Sequence, residues 1–289
     1  MEGTVKLKKE NKVGRIEFFH PKGNSLTSEI LENLVSNLNK AEVDSDINVI
    51  IIESIGQTTF CSGASLSEIK SIKNIESGIN FFMGFARLLN TIREMSKFVL
   101  ARVHGKIVGG GVGLVSACDY SFALENSSIK LTELSIGLGP YVIEPALSRK
   151  IGNTSFTNLS LDSSEWKTAN WGLEKGLYAH LSQNIELMDK ALNQKAEIIS
   201  SYSPEACRQL RKLHWKNTEH WETLLPQNAK ITARLALSDF SQKQKKLVFL
   251  TILGIQLFVK TSKIWVSFEN RNQNVWKCTT TFRAANIFC

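Results

Sequence analysis

The amino-acid sequence predicts an α/β fold. Residues 13–52 have the pattern of strand, helix and strand in succession, an order that favours a parallel pair of strands joined by a crossover helix. The continuous apolar runs Val49–Ile52 and Phe98–Val103 are typical of strands buried on both faces. A run of small residues, Val108–Asp119, follows the second of these strands and is compatible with a helix. Together these observations predict parallel strands covered by helices.

The other elements follow from hydrophobic periodicity and turn residues. Thr4–Leu7 and Val13–Phe19 predict a hairpin, His20–Asn24 predicts a turn, and Leu26–Ala41 predicts a helix. A polar loop is predicted at Thr58–Lys70. The remaining predictions are a connection at His104–Ile107, strands at Tyr120–Leu124 and Ile129–Leu131, and helices at Ile75–Met95, Ile143–Ile151, Ser163–Gly172, Ile185–Ser200, from Ser203 onward, and at Thr218–Phe240. The tryptophans within the Ser163–Gly172 segment, Trp166 and Trp171, are interpreted as core or interface residues.

Length and composition are those of an ordinary globular protein. The 289 residues can bury a sizeable core, and the apolar and charged fractions are 43% and 21%. The N-terminal segment, MEGTVKLKKENKVG, lacks the apolar core of a signal peptide. The five cysteines show neither CxxC pairing nor metal-ligand spacing, which favours reduced thiols and no bound metal. We therefore expect a cytoplasmic protein.

The net charge of +8 is concentrated at the C-terminus. Eight basic residues and one acidic residue lie from Lys243 to Cys289, which leaves 27 basic and 26 acidic residues before them. Because the body of the chain is nearly neutral, it lacks the basic excess that nucleic-acid binding requires. We therefore expect no nucleic-acid partner.

The glycines at the start of Val108–Asp119 have a chemical and a structural interpretation. Without Cβ atoms, Gly109, Gly110 and Gly111 let backbone N–H groups approach a ligand closely, and a helix N-terminus adds partial positive charge. Such a junction can hold a developing anion. Alternatively, the glycines form a flexible turn or allow tight helix packing.

Three short segments share their spacing and order with a known family. They are Phe60–Leu66 (FCSGASL), Gly105–Asp119 (GKIVGGGVGLVSACD) and Thr132–Leu138 (TELSIGL). Together they resemble the crotonase family, also called the enoyl-CoA hydratase/isomerase superfamily, over residues from about Val5 to about Ser241. The resemblance implies a right-handed crotonase-like spiral of repeated β-β-α units, followed by helices that build homotrimers or dimers of trimers. It also implies a coenzyme A (CoA) thioester as substrate and no separate cofactor.

Under this resemblance the chain divides into three parts. Residues 1–190 form the spiral core with the CoA and active sites, residues 191–242 form a helical oligomerisation region, and residues 243–289 form a basic, apolar tail. The run Leu247–Val259 in the tail is too short to span a bilayer, which takes about 20 residues. It is interpreted as a helix buried on a neighbouring subunit, an interfacial membrane segment, or a tail without an evolved role. A shifted reading frame would also produce this change of composition, and a membrane partner is the less favoured interpretation.

The resemblance implies a reaction that passes through a thioester enolate. The backbone N–H groups of Ala64 and Gly110 map onto the two donors that hold the enolate oxygen, each worth about 3–4 kcal/mol in measured systems of this kind. Glu133 maps onto the acid–base position, where it transfers a proton at the α or γ carbon of the acyl chain. An apolar acyl pocket would raise the pKa of its carboxyl. The alternatives are a surface-loop role for Ala64 and a solvated carboxylate at a helix start for Glu133.

One position departs from the family pattern. Family hydratases usually carry a second glutamate, which helps to activate water, where this chain has Gly113. A double-bond shift needs only one base, so the departure favours an isomerase without excluding a hydratase. Tyr141 and Glu144 are candidates to replace the missing group, and Tyr141 is also interpreted as lining the acyl pocket. The rival hypotheses are a catalytically weak CoA-binding or assembly protein on this fold, and a membrane-associated protein that acts through its tail.

Two turns are expected to bind the CoA part of the substrate. By resemblance, backbone groups of the loop Ser62–Leu66 contact adenine and pantetheine, and a turn at residues 22–26 adds further contacts. Lys22 is either such a contact or a solvated charge. The predicted substrate-binding residues are Lys22, Ser25, Leu26, Ser62, Gly63, Ser65, Leu66, Gly109, Gly113 and Tyr141.

Overall fold

The secondary structure alternates strands and helices as predicted. The computed structural model describes residues 3–252, 255–260, 263–268 and 277–278, with side chains described up to residue 245. The strands are β1 (Thr4–Glu10), β2 (Val13–Phe19), β3 (Val49–Ser54), β4 (Thr59–Cys61), β5 (Phe98–Val103), β6 (Lys106–Val108), β7 (Tyr120–Leu124), β8 (Ser128–Lys130), β9 (Lys167–Thr168), β10 (His180–Ser182), β11 (Ile255–Lys260), β12 (Lys263–Phe268) and β13 (Lys277–Cys278). The helices are α1 (Ser28–Val43), α2 (Leu66–Ser71), α3 (Ile75–Glu94), α4 (Gly110–Ala117), α5 (Glu144–Ile151), α6 (Asn153–Leu161), α7 (Ala169–Glu174), α8 (Ile185–Ser201), α9 (Pro204–His214), α10 (Trp221–Ala236) and α11 (Asp239–Ile252), with a short 3-10 helix at Leu134–Ile136.

Successive strands enter two sheets in turn. The first sheet has the order β1-β2-β3-β5-β7-β10 and is parallel except for the β1–β2 hairpin. The second has the order β4-β6-β8-β9 and is parallel except for the β8–β9 pair. Each pair of strands, one per sheet, is followed by a helix: β3-β4-α2, β5-β6-α4, and β7-β8 with the 3-10 helix. This architecture confirms the predicted α/β spiral of repeated β-β-α units.

Helices close the main core around the first sheet. The residues of Val49–Ile52 are fully buried, as their continuous apolar run predicts. α10 packs against α3, and a Cβ atom on Gly78 of α3 would lie 3.0 Å from the Cβ of Ala233. The buried apolar residues of α10 belong to the same core cluster as those of the spiral. The predicted oligomerisation region therefore shares its core with residues 1–190, and its role in assembly stays a prediction.

A buried ion pair joins α9 to Asp119, two residues after the end of α4. Asp119, the last residue of the glycine-containing segment, accepts hydrogen bonds from the side chains of Arg211 and Trp215, each at 2.9 Å. Trp215 donates to Oδ1, whereas Oδ2, which accepts from Arg211, also accepts from the backbone N–H of Val99 at 2.8 Å. Arg211 is 1% exposed, and a buried charge of this kind is tolerated because a carboxylate and several carbonyls surround it.

Several local predictions differ from the structure. The predicted connection at residues 104–107 contains most of β6, and the predicted loop at 58–70 contains β4 and most of α2. The helix predicted at 163–172 is wrong: α6 ends at residue 161, and β9 and α7 follow. The single helix predicted at 218–240 is divided into α10 and the start of α11. The missed strands have two or three residues each, and their pairing with distant strands, which local periodicity does not report, stabilises them.

The C-terminal part continues the helical region past its predicted end. α11 runs from Asp239 to Ile252, across residue 242, where the tail was expected to begin. β11, β12 and β13 form a separate antiparallel sheet. The side chains of Leu247–Val259 lie outside the described residues, so the interpretations of this run stay predictions. None of the helices that the structure describes is long and apolar enough to cross a membrane.

Candidate active site

Three loops meet at one edge of the second sheet. Because β4, β6 and β8 are neighbouring parallel strands, their carboxyl ends lie at the same edge. The loop Ser62–Ser65 follows β4, Gly109 and Gly110 follow β6, and Glu133 comes three residues after β8. The three segments that are separated in sequence therefore surround one cavity of about 440 Å³.

The wall of this cavity is mainly apolar. It is lined by Ser62, Gly63, Ala64, Leu66, Ile69, Phe82, Phe85, Val108, Gly109, Gly110, Lys130, Thr132, Glu133, Ser135, Ile136, Leu138, Gly139, Pro140, Val142, Ile143, Trp166 and Thr232. Among the residues with described side chains, Glu133 is the one carboxylate in this lining. The volume of the cavity and its few polar groups suit a small-molecule site that orients one reacting centre.

Two backbone N–H groups at the cavity have no acceptor. Gly63 has a left-handed φ of +83°, and a Cβ atom there would lie 2.7 Å from the Val108 carbonyl oxygen and 3.3 Å from the Gly110 nitrogen. This close approach puts the N–H of Ala64 beside that of Gly110. Within residues 3–252, neither N–H donates to a carbonyl or a side chain. Gly110 is also the first residue of α4, whose N-terminus adds partial positive charge, so the pair can hold a negatively charged oxygen.

The carboxyl group of Glu133 faces the glycine turn. Gly109 has a φ of +50°, and a Cβ atom there would lie 2.7 Å from Glu133 Oε1, so the carboxyl lies where a side chain on residue 109 would displace it. The residue as a whole is partly exposed, but Oε2 is buried and has no hydrogen-bond partner among the described residues. Burial raises the pKa of Glu133 to about 7, and the backbone N–H groups of Thr132 and Glu133 offset only part of that effect. The carboxyl is therefore only partly solvated, and its role as acid or base stays a prediction.

A family model decides where this arrangement belongs. The model described as enoyl-CoA hydratase/isomerase matches residues 8–269 of the 289. The chain belongs to the enoyl-CoA hydratase/isomerase family. The match confirms the resemblance drawn from the three segments, and it continues past residue 243, where that resemblance was expected to end.

The relatives of this chain are named for more than one reaction. The chain is 29% identical over 216 residues to a probable enoyl-CoA hydratase of Bacillus subtilis. The aligned region covers 74% of this chain and 83% of the relative. It is 30% identical over 196 residues to the mitochondrial Delta(3,5)-Delta(2,4)-dienoyl-CoA isomerase of Mus musculus, covering 64% of this chain and 60% of the relative. The crystal structure of an enoyl-CoA hydratase from Bacillus halodurans has the same fold, with a TM-score of 0.79 and 21% identity. The match covers 84% of this chain and 99% of the chain in that crystal structure. Family membership alone thus leaves hydration and isomerisation open.

The resemblance predicts that Glu133 is the base of the reaction, and the raised pKa of its carboxyl then predicts the pH dependence of activity. A base must be ionised before it removes a proton, so kcat/KM is expected to rise about tenfold per pH unit below pH 7 and to level off above it. The check is a pH–rate profile from pH 5 to 9 with a saturated acyl-CoA whose α-proton exchange is followed in heavy water. A profile that is flat between pH 5.5 and 8 would contradict the assignment of this carboxyl as the base.

The predicted substrate-binding residues divide into two groups. Ser62, Gly63, Leu66 and Gly109 line the cavity. Lys22, Ser25, Leu26, Ser65, Gly113 and Tyr141 do not. The turn at residues 22–26 lies behind the loop after β4, because the N–H of Leu26 donates to the Gly63 carbonyl at 2.7 Å and the N–H of Ser65 donates to the Leu26 carbonyl at 3.0 Å. The turn therefore positions this loop, and contacts of Lys22 and Ser25 with CoA stay predictions.

The space beside Gly113, where the resemblance predicts the second glutamate of a hydratase, is filled. A Cβ atom on Gly113 would lie 2.6 Å from the Cβ of Ile143, which itself lines the cavity, so no room remains for a longer side chain. The ring of Tyr141 packs on Gly139 and stays 38% exposed, outside the cavity that it was expected to line. Glu144 begins α5 and lines a separate surface groove. Neither Tyr141 nor Glu144 therefore places a second acid–base group in the cavity lining.

Sequence reasoning missed part of the cavity wall. Trp166, interpreted as a core or interface residue, lines the cavity and is 45% exposed. Lys130 also lines it, three residues before Glu133, and the two-residue alternation of a strand through Lys130 and Thr132 could have indicated this. Thr232 reaches the cavity from α10, and no local pattern indicates such a contact.

Proposed function

We propose that this protein is an acyl-CoA enzyme that shifts a double bond in an enoyl-CoA through a thioester enolate. The observation that carries the proposal is the single carboxylate, Glu133, in an otherwise apolar cavity lining. One base that removes a proton at one carbon and returns it at another completes a double-bond shift. Hydration needs, in addition, a water molecule held and activated opposite the acid.

The proposed chemistry uses three groups. The thioester carbonyl oxygen accepts hydrogen bonds from the N–H groups of Ala64 and Gly110. Glu133 removes a proton from the α carbon of a 3-enoyl thioester, and the electron pair of the broken C–H bond moves into the conjugated carbonyl to form a dienolate. The two donors stabilise the negative charge on oxygen as it develops. Glu133 then returns the proton to the γ carbon, which gives the 2-enoyl thioester and regenerates the carboxylate.

The electrostatics support a proton carrier at this position. A carboxyl whose pKa is about 7 both accepts and donates a proton near neutral pH, which one residue must do to act as base and then as acid. The side chain of Ile143 beside Gly113 supports the isomerase over the hydratase, because the usual place of the second carboxylate holds an aliphatic group.

The test is product analysis in heavy water. Saturated, 2-enoyl and 3-enoyl CoA thioesters are incubated with the full chain, and products and deuterium content are read by mass spectrometry. We expect conversion of the 3-enoyl to the 2-enoyl thioester, and 3-hydroxyacyl-CoA formation at least about a hundredfold more slowly. Hydration at a comparable rate would show a hydratase instead. Binding without turnover or exchange on any thioester would favour the CoA-binding or assembly protein.

A further inference from the structure

Lys130 and Trp166 line the cavity on the second sheet, and Lys106 lies near them on the neighbouring strand β6. We call Lys106, Lys130 and Trp166 the cationic wall. Val108 of β6 pairs with Lys130 of β8, and side chains alternate along strands, so Lys106, Val108 and Lys130 share one face of the sheet. The alternate residues of these two strands are fully buried on the other face. Trp166 precedes β9, which pairs with β8 on its far side.

The two lysines meet at the tryptophan. The Nζ atoms of Lys106 and Lys130 each lie 5.4 Å from the centroid of the Trp166 ring. At this distance the ring attracts each ammonium group, so both charges lie near the same ring. Lys130 Nζ also donates a hydrogen bond to the Ser164 carbonyl at 2.7 Å, which fixes its direction.

The positive charge of this wall is not neutralised within the described part of the chain. Neither Lys106 nor Lys130 forms an ion pair there. The acidic residues nearest to Trp166 in sequence, Asp162 and Glu165, pair with Lys167 instead, at 2.5 and 3.3 Å. Two adjacent cations without a carboxylate partner form a site that an anion would stabilise.

The wall lies beside the reacting centre. Lys130 and Trp166 line the same cavity as Glu133, and the Lys130 carbonyl accepts a hydrogen bond from the N–H of Gly109 at 2.9 Å. The backbone of Lys130 thus adjoins the turn that the Glu133 carboxyl faces.

We propose that the cationic wall binds an anionic group, in the simplest form a carboxylate, on the acyl chain of the thioester substrate. The inference rests on the proposed function, because it assumes that an acyl thioester occupies the cavity. An apolar cavity would otherwise reject a carboxylate, since a buried charge without a partner is costly. The phosphates of CoA carry the same charge, but the whole pantetheine arm separates them from the thioester, whereas Lys130 adjoins the glycine turn at the reacting centre.

The test compares two unreactive ligands of equal chain length. Glutaryl-CoA carries a terminal carboxylate and pentanoyl-CoA does not, and calorimetry gives Kd for each with the full chain. Lys130→Met is expected to raise Kd for glutaryl-CoA about tenfold, equivalent to about 1.4 kcal/mol, and to change Kd for pentanoyl-CoA less than twofold. Lys130→Arg, which keeps the charge, should retain the preference, and Lys106→Met added to Lys130→Met should weaken glutaryl-CoA further. Lys6→Met, on the exposed strand β1, is the matched control.

Thioesters of pantetheine alone distinguish the two sources of negative charge. If the acyl carboxylate is bound, the effect of Lys130→Met persists with S-glutaryl pantetheine. If the variant weakens both CoA thioesters equally and neither pantetheine thioester, the wall binds a phosphate and the proposal is overturned. An unchanged Kd for glutaryl-CoA would overturn it as well. Failure of the wild-type chain to bind any of the thioesters would reject the proposed function itself, a different result from binding without charge preference.

Discussion

Replacing Glu133 by Gln is expected to lower double-bond migration and α-proton exchange by about 10²–10⁴-fold. Gln has nearly the same shape as Glu, so the cavity stays filled, but an amide does not carry a proton between two carbons. The measurement is the exchange rate in heavy water with a 3-enoyl-CoA and a saturated acyl-CoA. Glu144→Gln, at the start of α5 outside the cavity, is the matched control and should leave the rate unchanged. A decrease of less than tenfold in these rates would contradict the role of Glu133 as the proton carrier.

Stability separates this catalytic effect from unfolding. The pKa of Glu133 is about 7 in the folded chain against 4.5 for the free group, so the folded state keeps a proton that the unfolded state loses between these values. Burial of Glu133 therefore lowers the free energy of unfolding as pH rises from 4.5 to 7. Above pH 7 this loss is complete and is on the order of 3 kcal/mol. Glu133→Gln should accordingly raise Tm at pH 8 and leave it nearly unchanged at pH 4. An inactive variant with a raised Tm at pH 8 would be folded and chemically disabled.

Gly63→Ala is expected to lower kcat/KM about 10²–10³-fold by separating the two N–H donors. A methyl group on Gly63 would lie 2.7 Å from the Val108 carbonyl oxygen, and both neighbours are backbone, so the loop after β4 must move away from the glycine turn. Such movement displaces the N–H of Ala64 from that of Gly110. The measurement is kcat/KM for the double-bond shift, together with Kd for the saturated acyl-CoA.

A second glycine provides the control for backbone strain. Gly152 has a φ of +78°, nearly the same as that of Gly63, but a Cβ atom there would meet nothing within 4 Å. Gly152→Ala therefore also puts a side chain at a positive φ, but without the steric contact, and it should lose some stability while its kcat/KM stays within about twofold of wild type. If the two variants lose activity equally, strain rather than the close approach of the two loops explains the result.

Properties set by short stretches of sequence were predicted correctly. The continuous apolar runs identified β3 and β5 as buried parallel strands, because a strand covered on both faces has no solvent-facing position. The three short segments identified the family, which the family model confirms. They also singled out Glu133, Ala64 and Gly110, whose catalytic roles remain proposals.

The arrangement of the cavity depended on contacts between distant residues. β6 has three residues and β9 has two, and pairing with β8 in the second sheet stabilises both. No local sequence pattern therefore predicted these strands. That sheet alone brings Glu133 to the glycine turn, and it places Trp166 on the cavity wall. The sequence showed that Gly113 lacks a carboxylate, but only the tertiary structure showed that Ile143 occupies its space. Local patterns report which face of an element is buried, whereas the identity of the neighbour on that face is decided by packing.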